Sequence, residues 1–177
     1  METALETAMG TAIEASGQAT AQGRPVIMVQ VDAPQWTADV LHAACRLART
    51  CGGEVALVRL VRVRRLLYLG TEFGNLDLSD DDKRHLEACV DTVEDYGLPY
   101  SVTLYQHCDL CAAIADTAEL VGAGVVFARL PHSSIPLWSD CQFELLRMRL
   151  SRRHVELLNA PGIWGQAAPL RAAEAAA

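Results

Sequence analysis

Val26-Ile27-Met28-Val29-Gln30-Val31-Asp32 is a run of mostly apolar, partly β-branched residues closed by an acid. A strand with one buried face alternates apolar and polar residues, whereas a near-continuous apolar run suits a strand covered on both faces, as inside a parallel sheet. Pro34 then opens a helix in which Trp36, Val40, Leu41, Ala44, Leu47 and Ala48 recur at helical spacing, and Gly52-Gly53 supplies its stop signal. This first strand-to-helix step sets the pattern for the chain on its C-terminal side.

Glu54 to Val63 reads as a second apolar strand, followed by a variable stretch from Arg64 to Leu78. Ser79 caps the next helix, with Asp80, Asp81 and Asp82 in the first turn, where negative charge meets the positive end of the helix dipole. Leu86, Cys89, Val90, Val93 and Tyr96 form its apolar stripe, and Gly97 and Pro99 end it. Tyr100 to Tyr105 predicts a third strand, Leu110 to Leu120 a third helix, and Val125 to Ala128 a fourth strand. Asp140 to Arg152 predicts a fourth helix and Val155 to Leu158 a fifth strand. Strict alternation of strand and helix implies a doubly wound parallel α/β sheet with helices on both faces and right-handed crossovers. Ligands of such sheets sit beyond the carboxyl ends of the strands, where the strand order reverses.

Composition narrows the function classes. The chain has 177 residues, 51% hydrophobic and 21% charged, which suits one folded domain with its own core. A formal charge of -7 removes any global attraction to phosphate backbones, so nucleic acid is not expected as a partner; only Arg59, Arg62, Arg64 and Arg65 approach a basic patch. No stretch reaches the roughly 18 apolar residues of a membrane span, and Glu2 and Glu6 stand where a signal peptide needs positive charge. A cytoplasmic location is therefore expected, with Cys45, Cys51, Cys89, Cys108, Cys111 and Cys141 as free thiols. Residues 1–24 carry few large apolar groups and residues 160–177 end in Ala-Ala-Glu-Ala-Ala-Ala, so both read as tails around a domain at 25–159.

Five such units, led by a strand ending in Val31-Asp32, resemble the universal stress protein family across residues 25–159. The resemblance implies a five-stranded parallel sheet ordered 3-2-1-4-5, counting strands as above. It also implies that Asp32 holds the adenosine of a bound nucleotide. A strand ending in an acid is common in doubly wound folds, and the simpler reading is that Asp32 caps the following helix. ATP-binding members carry Gly-x2-Gly-x9-Gly-Ser/Thr after the fourth strand. Laid on Val125-Val126-Phe127 without gaps, that spacing falls on Ala128, Pro131, Cys141 and Gln142, so every element is missing. A phosphate cradle needs backbone N–H groups close to the anion, glycine permits the approach, and Pro131 has no N–H to give. ATP binding and any other cofactor are therefore not expected.

His107-Cys108-Asp109-Leu110-Cys111 is the most suggestive local cluster, since a Cys-x-x-Cys at a helix start supports thiol exchange or half of a zinc site. No second ligand pair accompanies it, so structural thiols are the simpler reading. No catalytic triad spacing or nucleophile elbow is present, and a non-enzymatic protein is expected. Ile135-Pro136-Leu137-Trp138 reads as an apolar loop that either lids the cleft or binds another chain. In the resembled family the fifth strand often pairs with its twin, and Val155-Glu156-Leu157-Leu158 is short and apolar enough to do so. The resulting expectation is a non-catalytic module acting as a homodimer or accessory subunit, with Leu137, Trp138, Val155 and Leu157 as interaction residues. The alternative is a small-molecule or nucleotide binder that uses a modified cleft near Asp32.

Overall fold

The computed structural model describes residues 13–15, 23–63, 78–130 and 136–158; for 13–15 and 136–140 it describes the backbone alone. Arg64, Arg65, Pro131, Ile135, the C-terminal segment 160–177 and most of residues 1–24 lie outside the described residues.

The described elements are β1 (Ile13–Ala15), β2 (Val26–Val31), α1 (Pro34–Cys51), β3 (Glu54–Arg62), α2 (Asp80–Asp95), β4 (Tyr100–His107), α3 (Leu110–Leu120), β5 (Ala123–Phe127), α4 (Pro136–Ser151) and β6 (Glu156–Leu158). They form one sheet ordered β1-β4-β3-β2-β5-β6. The five strands from β2 to β6 pair in parallel and give the expected 3-2-1-4-5 order. Residues 13–15, which fall in the segment read as a tail, add a short antiparallel edge strand against β4.

β2 lies in the middle, hydrogen-bonded to β3 and β5, and all six of its residues are buried. Its alternate residues feed two separate cores. Val26 and Met28 face Cys111, Ile114, Ala115 and Ala118 of α3 with Leu146 and Leu150 of α4. Ile27, Val29 and Val31 face Val40, Leu41, Ala44, Cys45 and Ala48 of α1 with Cys89 and Val93 of α2. Two helices therefore cover each face, and burial of this apolar surface, at about 25 cal/mol per Å², is the main stabilising term.

Local chemistry sets the helix ends. Pro34 stands in the first turn of α1, and Gly52, at φ 65°, closes the helix with its N–H on the Ala48 carbonyl. Gly53 is required for space: a Cβ there would lie 2.3 Å from the Pro25 carbonyl oxygen. The Ser79 hydroxyl accepts the Asp82 N–H at 3.1 Å and caps α2. Asp109 caps α3, accepting the N–H groups of Cys111 at 2.9 Å and Ala112 at 3.3 Å.

The last helix corrects one expectation. α4 begins at Pro136, not Asp140, so Leu137 and Trp138 lie in its first turn and not in a loop. Proline suits that position because the first helical N–H has no intrahelical acceptor in any case.

Candidate functional site

β3 and β4 run on past the end of β2. Val31 is in register with Arg59, so Leu60, Val61 and Arg62 extend beyond it, and Arg62 is in register with His107. Strand alternation puts Gln30, Leu60, Arg62 and His107 on the α3/α4 side of the sheet. These residues, with Val31, Asp32, Cys108 to Cys111, Arg129 and, from α4, Gln142 and Leu145, line a cleft of about 830 Å³. It lies at the carboxyl ends of the strands, where order reverses between β2 and β5.

Gln30 is the pivot of the cleft. Its side chain is 4% exposed, and its Oε1 accepts the Arg129 backbone N–H at 3.0 Å. Arg129 follows β5 by two residues, so an amide beside the position of the missing glycine turn is already engaged by the protein. The Gln30 NH2 makes no hydrogen bond among the described residues.

Asp32 does not cap α1. Ala33 occupies the cap position and no side chain caps the helix. The Asp32 backbone N–H donates to Thr37 Oγ1 at 3.0 Å, while its carboxylate lies 3.4 Å from the Arg129 guanidinium. The pair is close to half exposed on both sides, so it contributes at most about 1 kcal/mol to stability. Its effect on the site is larger, because the carboxylate proposed for a ligand is shared with a cation of the same chain.

His107 is 8% exposed, and its Nδ1 is buried without a hydrogen-bond partner. Burial pushes its imidazole below the ordinary value, the neighbouring Arg62 charge adds to the shift, and Asp109 opposes it. The ring is therefore neutral near pH 7. Asp109 lies 3.9 Å from Arg149 and holds the α3 amides with its other oxygen. Arg62 forms no ion pair among the described residues.

The Cys-x-x-Cys splits by burial. Cys111 is buried and its thiol is pushed up, first by burial and then by Asp109, with Arg149 opposing. Cys108 is exposed and its Sγ lies 3.5 Å from the Val63 carbonyl oxygen. A lowered thiol pKa, the condition for easy exchange, is the opposite of what Cys111 shows. No group of three or more candidate metal ligands occurs among the described residues.

Of the predicted interaction residues, Val155 and Leu157 are described with their side chains. Val155 is 8% exposed and packs into the α3/α4 core, and Leu157 is half-buried against the same core. The side chains of Leu137 and Trp138 lie outside the described residues. Of the four arginines considered as a basic patch, Arg59 is held internally by Asp82 at 2.6 Å and the Val31 carbonyl at 3.0 Å. No described helix is long and apolar enough to cross a membrane.

Sequence reasoning passed over Gln30 and Arg129. Gln30 carries a visible signal, a polar side chain inside an otherwise apolar strand. Arg129 carries none, since its partners lie 97 and 99 residues away.

No family model matches the sequence, and no curated protein matches it. Solved structures do. A protein of the universal stress protein family from Burkholderia pseudomallei superimposes with a TM-score of 0.55 at 18% identity, covering 78% of this chain and 97% of its own. A universal stress protein in complex with cAMP superimposes with a TM-score of 0.58 at 10% identity, covering 76% and 94%. Strand order, helix placement and these superpositions agree: the chain has the universal stress protein fold.

Proposed function

We propose that this protein is a non-catalytic, cytoplasmic small-molecule-binding module of the stress-protein fold, whose cleft accepts a compact polar ligand but does not grip ATP. The observation that carries the reading is Gln30. Its carbonyl occupies the Arg129 amide beside the lost glycine turn, while its NH2, with no hydrogen bond among the described residues, stands at the wall of an 830 Å³ cleft. An amide NH2 offers two donors, and an acceptor on a bound polar molecule can take up what the protein leaves unused. A protein of the same fold is known in complex with cAMP, so the scaffold is compatible with a compact ligand.

The non-enzymatic part of the proposal rests on the residue types at the cleft. Asp32 is paired with Arg129, the Cys111 thiol is pushed up, and neither Cys108 nor His107 is hydrogen-bonded to a partner that would activate it. The folded domain is assigned to residues 25–159, extended at one edge by β1.

The test is a titration of isotope-labelled protein with adenosine, AMP and ATP, followed by the amide and side-chain NH2 resonances of Gln30, His107 and Gln142. Saturable shifts with a compact ligand, absent with the triphosphate, are expected. Cleft resonances that respond to none of them, nor to small anions, contradict the proposal.

A second reading is association through β6. This strand ends the sheet, and its outer edge is unpaired among the described residues. Unpaired main-chain groups there can add a second copy or another strand. Since Val155 and Leu157 pack inward, main-chain pairing rather than these side chains would carry such an interface. Sedimentation of the wild type, with hydrogen exchange of the β6 amides in any dimer, tests it: a dimer that protects those amides supports the interface, and a monomeric wild type rules out self-association.

A further inference from the structure

The cleft has an unequal distribution of charge. On the β2/β5 side, Asp32 and Arg129 face each other at 3.4 Å and cancel. At the start of α3, the Asp109 carboxylate accepts two helix amides and lies 3.9 Å from Arg149. Arg62 alone, at the β3/β4 end, faces the cleft without a carboxylate among the described residues. Beside it stands His107, with Nδ1 buried and unpartnered, and across β3 stands Gln30, with its NH2 unpartnered.

We infer that the β3/β4 end of this cleft binds the anionic group of a small molecule, a carboxylate or phosphate monoester, with Arg62 as the counter-charge and the Gln30 NH2 and His107 imidazole as neutral hydrogen-bonding partners. The inference rests on the small-molecule reading given above. The anion lies on the opposite side of β2 from the turn after β5, where the glycine motif would place it. That turn is unsuited to it here, because the Arg129 amide is occupied and the Arg129 guanidinium is held by Asp32. A guanidinium presents paired N–H donors that match carboxylate and phosphate oxygens, and such charge-assisted bonds are the strong ones. Arg62 is exposed, so it gives up little when it pairs.

The experiment uses the full chain, with inorganic phosphate and acetate in separate titrations at constant ionic strength and adenosine as the uncharged probe. The readout is the Gln30 side-chain NH2 and His107 resonances. At least one anion is expected to give a saturable shift in wild type and in Arg84→Gln, whose parent residue lies on the exposed face of α2. Arg62→Gln is expected to weaken that binding by roughly tenfold or more. No saturable anion shift, or equal binding by Arg62→Gln and Arg84→Gln, overturns the inference. If adenosine alone then shifts the cleft, the small-molecule reading stands without it; if adenosine fails too, both fall.

Discussion

His107 ties the cleft to the stability of the domain. Its imidazole titrates lower in the fold than its ordinary value of 6.5, because burial and Arg62 disfavour the charged form more than Asp109 favours it. The unfolded chain therefore binds more protons just below that value, and stability must fall as the pH drops from 6.5 toward the folded pKa. The charged groups acting on the ring are Arg62 from β3 and Asp109 from the start of α3. Asp32, Arg129 and, from α4, Arg149 stand further off around the cleft. His107→Gln should flatten the acid limb of a urea-unfolding series, by up to about 1.4 kcal/mol per pH unit. Parallel limbs in the two proteins would show that the ring is not the titrating group. The cysteines give a second residue-scale prediction. Cys51, Cys108 and Cys141 are exposed, whereas Cys45, Cys89 and Cys111 are buried, and Cys45 is pushed up to about 11 by burial. Folded protein should take up three equivalents of a maleimide quickly and the remainder only on unfolding; fast modification of Cys45 would contradict the packing around α1. The Cys-x-x-Cys was visible in the sequence, but not that Cys111 packs against Ile114 and Leu146 while Cys108 stays outside.

At the scale of elements, the strand-to-helix joints are the rigid points. Gly53 leads from α1 into β3 under the Pro25 carbonyl, where a methyl group would have to displace backbone. Gly53→Ala should cost about 1 to 3 kcal/mol in chemical denaturation, a typical penalty for overpacking. A neutral effect would mean that the start of β2 moves freely away from it. The long apolar runs, Ser79, Asp109 and the helix-ending glycines made most elements legible, since each depends on local chemistry. Two features were not. β1 is only Ile-Glu-Ala within an Ala-, Thr- and Gly-rich stretch, and it forms by pairing with β4 about 90 residues away, which no local pattern reports. The start of α4 was signalled by Pro136, but Leu137-Trp138 has no helical period over so few residues and was read as a loop.

For the whole molecule, the alternation of elements was sufficient to predict a parallel sheet, its 3-2-1-4-5 order came from the resemblance to the universal stress protein family, and the absence of the glycine motif pointed to a changed cleft. What fills that change could not be read. Gln30 and Arg129 meet only because β2 and β5 are neighbours in the sheet, and Arg62 reaches the cleft only because β3 outruns β2. Asp32 is present as the resemblance implies, yet its carboxylate is directed to Arg129. Beside the missing glycine turn, the protein's own Gln30 and Asp32 engage Arg129, in a cleft at the place where the resemblance implies a nucleotide. Isothermal titration of the wild-type chain with ATP, beside the Ala128→Gly, Pro131→Gly, Cys141→Gly, Gln142→Ser quadruple variant, tests this most directly. The account predicts no saturable heat from wild type and a gain of ATP binding in the variant; low-micromolar binding of ATP by wild type would contradict it.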